Sequence, residues 1–434
     1  MIEPYLGFGI FIVALMLFLA TGMPVAVATG LLGIVGCVLF VSTDALRQLA
    51  TIAFTQSSSF VLVVAPLFVL MGEALSVTGI GRDLFKAARL WLRRVPGALA
   101  VGTVFACAGF AAVCGSSPVT AATIGTMAVP EMVRHGYDRR LALGVTAAGG
   151  TLGILIPPSV PMILYGVITE TSIGDLFLAG IVPGLMMATM LAATVFMIVW
   201  RNPERAPPVT DIGTPAERWR SLFGVLPVIL LAVLVLGSIY AGIATPTEAG
   251  AVGAAGALVI AACARTLNAD TMGRILGNTV RTTAMFLLLL VGGLFSSFVL
   301  TRLGIPQGMA NFLTGLEVPS WAVIVLINIL LMILGMFMDP MSVLVIMVPV
   351  FFDAVVALGY DPVWFGIIVT INIEIAAISP PVGFNLFVLK AVIPNTELRD
   401  VVRGALIFIM PLAAGIGFLI LFPEIALFLP QLAK

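Results

Sequence analysis

Two apolar stretches of the sequence are interrupted by short polar segments that could bind ions. The first interruption reads GSSPVT and begins at Gly115, and the second reads MDPMS and contains Asp339. Hydroxyl and carboxylate oxygens are suitable ligands for hard cations. An ionisable side chain at membrane depth is costly and is a functional candidate by default. We therefore expect Asp339 to bind a cation or act in gating, although capping of a helix start would also explain it.

The first interruption offers several hydroxyl groups. Ser116, Ser117 and Thr120 supply them, and Pro118 suits the start of a returning helix because its missing amide is not needed there. Alternatively, the two serines only cap the returning helix by accepting hydrogen bonds from its first backbone amides. The second interruption carries an equally polar residue, Asp339, and this match favours a binding function for the first.

Two further apolar stretches are broken by paired prolines. The stretch 139–169 contains prolines at 157–158, and the stretch 361–392 contains prolines at 380–381. Proline disrupts helical hydrogen bonding, so each break frees backbone carbonyls and amides. Free carbonyls suit a cation, whereas amides at the start of the outgoing half-helix favour an anion. Glu374, near the second break, either acts directly on ion or substrate or is a structural acid bonded to a neighbouring tip.

The residues at these four breaks define a candidate substrate cavity. It comprises Pro118, Thr120, Pro157, Pro158, Ser159, Pro340, Glu374, Pro380, Pro381, Gly383 and Asn385. No Lys or Arg lies at any of the breaks. If the substrate is an anion, we expect amides, hydroxyls and co-bound Na⁺ to hold it, and no arginine clamp.

The composition places these breaks in a membrane protein. Of 434 residues, 61% are hydrophobic and 10% are charged, with 21 Lys and Arg against 21 Asp and Glu. Soluble proteins are nearer a quarter charged, and nucleic-acid-binding proteins need a basic excess. One histidine and no P-loop lysine exclude a His-based zinc site and P-loop ATP hydrolysis. We expect no transition metal and no enzyme activity; an intramembrane enzyme is a remote alternative.

The two halves of the chain repeat. The tripeptide GYD at 136–138 recurs at 359–361, and the proline pair at 157–158 recurs at 380–381, both displaced by 223 residues. Matching breaks in an internal repeat are typical of secondary transporters. We therefore predict an all-α polytopic membrane protein with an inverted repeat, two re-entrant helical hairpins and two broken transmembrane helices.

The predicted organisation follows from the apolar runs. The first repeat, 1–200, comprises scaffold spans within 5–77, an arm helix at 79–94, a hairpin at 98–133, a broken span at 139–169 and a span at 175–200. A cytoplasmic linker, 201–219, leads to the second repeat, 220–434, with scaffold spans within 220–301, an arm helix at 304–317, a hairpin at 319–357, a broken span at 361–392 and a span at 401–422. In the second scaffold region we expect a surface segment at 266–279 before a separate span at 281–301.

The distribution of positive charge predicts the orientation. With two re-entrant hairpins, each half of the chain crosses the membrane five times. The face that holds the N-terminus then carries only Arg47, Arg302 and Lys434, and the other 18 of the 21 basic residues lie on the opposite face. The positive-inside rule makes the richer face cytoplasmic and both termini periplasmic. Full crossings in place of the hairpins would give the same sides. Hairpins are favoured because non-helical backbone at membrane depth must line a cavity or be buried.

The sequences GSSPVTAATIG, GGTLGILIPPSVPMILYG and ISPPVGFNLFVL, with the Asp339-Pro340 tip, closely resemble the large membrane subunit of TRAP (tripartite ATP-independent periplasmic) transporters. The resemblance implies an elevator-type fold in a bacterial inner membrane. It also implies Na⁺-coupled uptake of a small organic anion, of the carboxylate or sulfonate class. The implied partners are a periplasmic substrate-binding protein and a small four-helix membrane subunit, expected as a separate chain because nothing precedes the first scaffold span.

The resemblance further implies one sodium site at each pair of tip and break. The Na⁺ candidates are Gly115, Ser116, Ser117, Gly150, Thr151, Asp339, Ser342 and Ser379. No organic cofactor is expected. The alternative is a stand-alone Na⁺/anion symporter or efflux carrier of the related ion-transporter superfamily.

Overall fold

The computed structural model describes residues 4–208 and 214–433, and every regular element in these ranges is helical. The first half contains α1 (Pro4–Ala20), α2 (Val25–Gly36), α3 (Arg47–Ser57), α4 (Val64–Ser76), α5 (Ile80–Leu92), α6 (Ala98–Cys114), α7 (Ser117–Arg134), α8 (Arg139–Leu155), α9 (Val160–Thr169) and α10 (Ile173–Arg201). The second half contains α11 (Pro215–Tyr240), α12 (Pro246–Cys263), α13 (Ala269–Arg302), α14 (Ile305–Thr314), α15 (Ser320–Gly335), α16 (Pro340–Ala357), α17 (Pro362–Ala377), α18 (Phe384–Val392), α19 (Leu398–Leu421) and α20 (Glu424–Leu432). This confirms the predicted all-α class.

Six of the described helices are long and apolar enough to cross a membrane, or eight spans if two bent helix pairs each count as one. The outer face of α11 shows why lipid must surround the protein. Phe223 is 72% exposed and Val233 is 63% exposed. A continuous exposed apolar face of this kind is unfavourable in water, whereas hydrocarbon accommodates it. The chain is therefore a polytopic membrane protein.

The repeated GYD tripeptide has the same local role in both halves. Asp138 caps α8 by accepting hydrogen bonds from the backbone amides of Arg140 and Leu141, at 2.7 and 3.1 Å. Asp361 caps α17 in the same manner. A capping carboxylate satisfies amides that have no partner within the helix. The duplicated residues thus fix where each broken helix begins.

Each predicted hairpin is a pair of helices joined by a short link. α6 ends at Gly115, whose φ of +64° suits glycine, and Ser116 is the only residue between α6 and α7 besides it. α15 and α16 are joined by residues 336–339. In both cases a proline occupies the first turn of the returning helix, where its lack of an amide costs nothing.

The paired prolines interrupt the broken helices where the sequence places them. α8 and α9 are separated by residues 156–159 and bend by 42°. α17 and α18 are separated by residues 378–383. The Pro157–Pro158 and Pro380–Pro381 peptide bonds are both cis.

Three helices differ from the sequence-based expectation. The surface segment at 266–279 and the span at 281–301 form the single helix α13, because no proline interrupts the join. At 1.5 Å per residue α13 is roughly 51 Å long, which exceeds the ~30 Å hydrocarbon core. α11 begins at Pro215, inside the predicted linker, because Thr214 and Glu217 form a capping box; linker residues 209–213 lie outside the described residues. α20 was not predicted.

The first halves of the broken helices, α8 and α17, are almost entirely buried, and α8 packs directly on α19. The two backbones touch where Gly144 faces Gly404. A Cβ on Gly404 would overlap the carbonyl oxygen of Arg140, so only glycine allows this approach. The Arg140–Asp400 ion pair, at 2.8 Å, lies at the same crossing.

Replacing Gly404 by alanine is expected to lower the melting temperature of the detergent-purified protein, because the added methyl group must push α8 and α19 apart. Overpacking of this kind costs about 1–3 kcal/mol. Gly417→Ala is the matched control: it lies on the same helix, and a Cβ there meets no atom within 4 Å. Equal melting temperatures for the two variants would show that the crossing is not tightly packed.

Candidate functional site

A cavity of about 290 Å³ lies between the two hairpin tips and the scaffold helices α4 and α13. The hairpins and broken helices contribute Cys114, Gly115, Ser116, Ser117, Pro118, Val119, Ile154, Val160, Pro161, Asp339, Pro340, Met341 and Phe384. The scaffold contributes Val69, Gly72, Glu73, Arg281, Thr282 and Met285. The structure therefore brings both tips and both broken helices to one space.

The first turns of four half-helices line this cavity. They are represented by Ser117 on α7, Val160 on α9, Met341 on α16 and Phe384 on α18. A helix N-terminus carries unpaired amides and the positive end of the helix dipole. Four such ends around one space favour an anion there.

The first hairpin tip lies directly against the first break. A Cβ on Gly115 would lie 2.7 Å from the carbonyl oxygen of Pro158, and one on Gly153 would lie 2.6 Å from that of Ser116. A Cβ on Gly150 would lie 2.5 Å from the Cβ of Ala121. These glycines allow the backbone carbonyls of tip and break to converge, which is the arrangement that a small cation needs.

The serines of the first tip do not act as helix caps. Ser116 makes no side-chain capping hydrogen bond to α7. Ser117 Oγ accepts a hydrogen bond of 2.6 Å from Asn385 Nδ2, and both residues are fully buried. Asn385 Oδ1 has no hydrogen-bond partner among the described residues. The contact ties α18 of the second half to the tip of the first.

Asp339 at the second tip both caps a helix and faces the cavity. Its Oδ2 accepts hydrogen bonds from the amides of Met341 and Ser342, at 3.2 and 3.4 Å, and its Oδ1 accepts one from the Ser342 hydroxyl. The capping role that the sequence left open is therefore present. The Val382 amide donates to the carbonyl of Met336 at 3.3 Å, so this tip also meets its break.

Three predicted hydroxyls are bonded within their own segments. Thr151, Ser159 and Ser379 each donate to a backbone carbonyl three to five residues earlier, at 2.5–2.7 Å. Their oxygen lone pairs are not used by that bond and can still accept a proton or contact a cation.

Several predicted residues do not line the cavity itself. The predicted residues that do line it belong to the two hairpin tips: Gly115, Ser116, Ser117, Pro118, Asp339 and Pro340. The predicted residues outside the lining are Thr120, Gly150, Thr151, Pro157, Pro158, Ser159, Ser342, Glu374, Ser379, Pro380, Pro381, Gly383 and Asn385. Glu374 is fully buried in α17, and within the described part of the chain neither of its carboxyl oxygens has a hydrogen-bond partner. It bonds to neither tip in this structure.

The site predicted from the sequence did not include the cavity residues of the scaffold helices α4 and α13. The absence of a base at the breaks suggested a cavity without arginine, but α13 brings Arg281 to its wall from outside the breaks. Glu73, on α4, accepts a hydrogen bond of 3.0 Å from Asn278 Nδ2. The available signal was the spacing of Asn278, Arg281 and Thr282, which share one face of α13 at the end of an apolar run.

The formal charges around the cavity are unequal. Glu73 and Asp339 are acids and Arg281 is the one base among the lining residues, which gives a formal sum of −2 + 1 = −1. Charges in a low-dielectric site interact strongly. A bound cation would therefore be favoured, and an anion bound without a cation would be repelled by the two carboxylates.

Solved structures with a similar fold are membrane transporters. The YdaH transporter of Alcanivorax borkumensis is 17% identical with a TM-score of 0.59, and the similarity covers 96% of this chain and 97% of that one. MtrF of Neisseria gonorrhoeae, described as an antimetabolite efflux pump, is 13% identical with a TM-score of 0.55 and covers 96% and 95%. At these identities the similarity concerns the fold alone.

The sequence comparisons identify the family of the chain. A C4-dicarboxylate TRAP transporter large permease protein of Pseudomonas aeruginosa is 37% identical over 404 residues, which cover 93% of both chains. The family described as "Tripartite ATP-independent periplasmic transporter, DctM component" matches residues 12–425. The chain belongs to this family, the large permease subunits of TRAP transporters.

Proposed function

We propose that the chain mediates Na⁺-coupled uptake of a small organic anion across the bacterial inner membrane, by an elevator mechanism. A periplasmic substrate-binding protein delivers the anion, and a small four-helix membrane subunit, as a separate chain, completes the scaffold. The observation that carries the proposal is the cavity where four helix N-termini and an excess of carboxylates meet.

The charge of this cavity supports the proposed cation coupling. The helix N-termini attract a carboxylate or sulfonate, but Glu73 and Asp339 repel it. Cations beside the tips neutralise this repulsion, so anion and cation bind better together than apart. The oxygen-rich contacts between each tip and its break suit Na⁺, with Ser116, Ser117 and Gly150 at one and Asp339, Ser342 and Ser379 at the other. Electrostatic coupling of the two ligands is the physical basis of symport.

The division of the cavity wall supports the proposed elevator motion. The hairpins and broken helices form one side, and α4 and α13 form the other. Glu73 lies three residues before the end of α4 at Ser76. In the proposed orientation that end is cytoplasmic, so the tips stand at the cytoplasmic station. Movement of the hairpins and broken helices along α4 and α13 would carry the cavity toward the periplasm, where both termini are proposed to lie.

The substrate class is suggested by relatives. The Pseudomonas aeruginosa protein is named for C4-dicarboxylates. An isethionate TRAP permease of Oleidesulfovibrio alaskensis is 34% identical over 418 residues, covering 95% of this chain and 64% of that longer protein. Succinate and isethionate are therefore suitable probes of the carboxylate and sulfonate classes.

Proteoliposomes containing the chain and its small subunit are expected to accumulate radiolabelled succinate or isethionate only with the cognate binding protein and an inward Na⁺ gradient. Replacing external Na⁺ by K⁺ is the control and should abolish uptake. Uptake by the chain without either partner would identify a stand-alone symporter and contradict the TRAP proposal. Export driven by the same gradient would identify an efflux carrier.

Asp339→Asn is expected to raise the Na⁺ concentration needed for half-maximal uptake, because it removes a negative charge from the second tip while retaining an acceptor oxygen. Hydrogen bonds and contacts to charged groups contribute about 1.5–3 kcal/mol, so a shift of roughly tenfold or more is expected. Asp353→Asn, on the exposed face of the same helix α16, is the matched control. An unchanged Na⁺ titration in Asp339→Asn would remove this residue from the ion site.

A further inference from the structure

The scaffold wall of the cavity carries a guanidinium group that its neighbours do not engage. Arg281 lies twelve residues into α13, is exposed and lines the cavity together with Thr282. None of the ion pairs found among residues 4–208 and 214–433 includes it. Its N–H donors are therefore available to a ligand in the cavity.

The nearest acid on this wall has another partner. Glu73 accepts a hydrogen bond from Asn278, which lies almost one turn before Arg281 on the same helix. Both Glu73 and Arg281 line the cavity, but they do not pair with each other in the structure. Asn278 thus holds the carboxylate in place while the guanidinium remains open to the space between the hairpin tips and the scaffold.

We propose that Arg281 binds a carboxylate or sulfonate oxygen of the transported anion, specifically when the hairpin tips stand beside the end of α4. This inference rests on the proposed function and deepens it. The planar guanidinium can donate two parallel hydrogen bonds to either group. It lines the same cavity as four helix N-termini, so an anion there has donors from both the guanidinium and the backbone amides.

The contact depends on the position of the moving helices. Beyond Arg281 along α13, the wall next to Asp339 and Met341 carries the hydroxyl groups of Thr282 and Thr283 and then apolar side chains that include Phe286 and Leu289, with no further base. An anion carried in that direction would leave the guanidinium and face hydrocarbon side chains. Arg281 is therefore a contact of one transport station, the cytoplasmic one in the proposed orientation, and is not a permanent part of the ion sites.

The test measures equilibrium binding of radiolabelled succinate and of isethionate to the chain with its small subunit in nanodiscs at saturating Na⁺. Arg281→Gln is expected to raise the Kd of the transported anion roughly 10- to 100-fold. Arg281→Lys keeps the charge but cannot donate two parallel hydrogen bonds, so it is expected to restore only part of the affinity. Arg274→Gln removes the same charge from the same helix, at an exposed position outside the cavity lining, and should bind as the wild type does.

A direct role of Arg281 differs from a structural one in two further readouts. The melting temperature of Arg281→Gln should match that of the wild type, and Na⁺ binding measured without the anion should not weaken, while the anion Kd rises. Wild-type anion affinity in Arg281→Gln would overturn the inference and leave the proposed function intact. A wild-type protein that neither binds nor transports either anion would overturn the proposed function first, and the inference with it.

Discussion

Backbone amides and carbonyls must be satisfied inside a bilayer, and this constraint determines the rest of the structure. Each unpaired backbone group in hydrocarbon costs several kcal/mol, so a chain can interrupt its helices only where protein or a polar cavity receives the freed groups. Within residues 4–208 and 214–433, the interruptions around the cavity lie at two hairpin tips and at two proline pairs. They meet in pairs, tip against break, and their outgoing helices converge on one cavity. In the proposed function, the polar groups released by the breaks form the binding site.

Convergence of the breaks also explains the use of small residues around them. Gly115 and Gly153 let the first tip approach the first break, because a side chain at either position would occupy the space of a backbone carbonyl. Gly144 and Gly404 likewise allow the backbones of α8 and α19 to approach closely where these helices cross. In the proposed elevator motion, close packing of this kind would keep the hairpins and broken helices together with the proposed ion sites. Coupled transport requires such a body, since ions and substrate must cross together.

The sequence predicted the parts of the fold that depend on local chemistry. Proline pairs, glycine and capping carboxylates act on their immediate neighbours, so the breaks at Gly115, Pro157, Asp339 and Pro380 could be located directly. The boundary inside α13 was wrong because a change from polar to apolar side chains does not by itself end a helix. Arg281 was missed at the site for a different reason. The spacing of Asn278, Arg281 and Thr282 indicates a shared polar face of the helix, but the distance of that face from the tips depends on how the scaffold helix packs, which local sequence does not determine.

In the proposed elevator motion, the charges divide between moving and fixed elements in a way that suits coupled transport. Asp339 belongs to a hairpin tip, whereas Glu73 and Arg281 belong to the scaffold. The central claim is that cations make the cavity acceptable to an anion. Calorimetric titration of succinate or isethionate into the purified membrane subunits, at constant ionic strength and increasing replacement of K⁺ by Na⁺, tests it most directly. The predicted result is a Kd that falls steeply with Na⁺; a Kd independent of Na⁺ would contradict it.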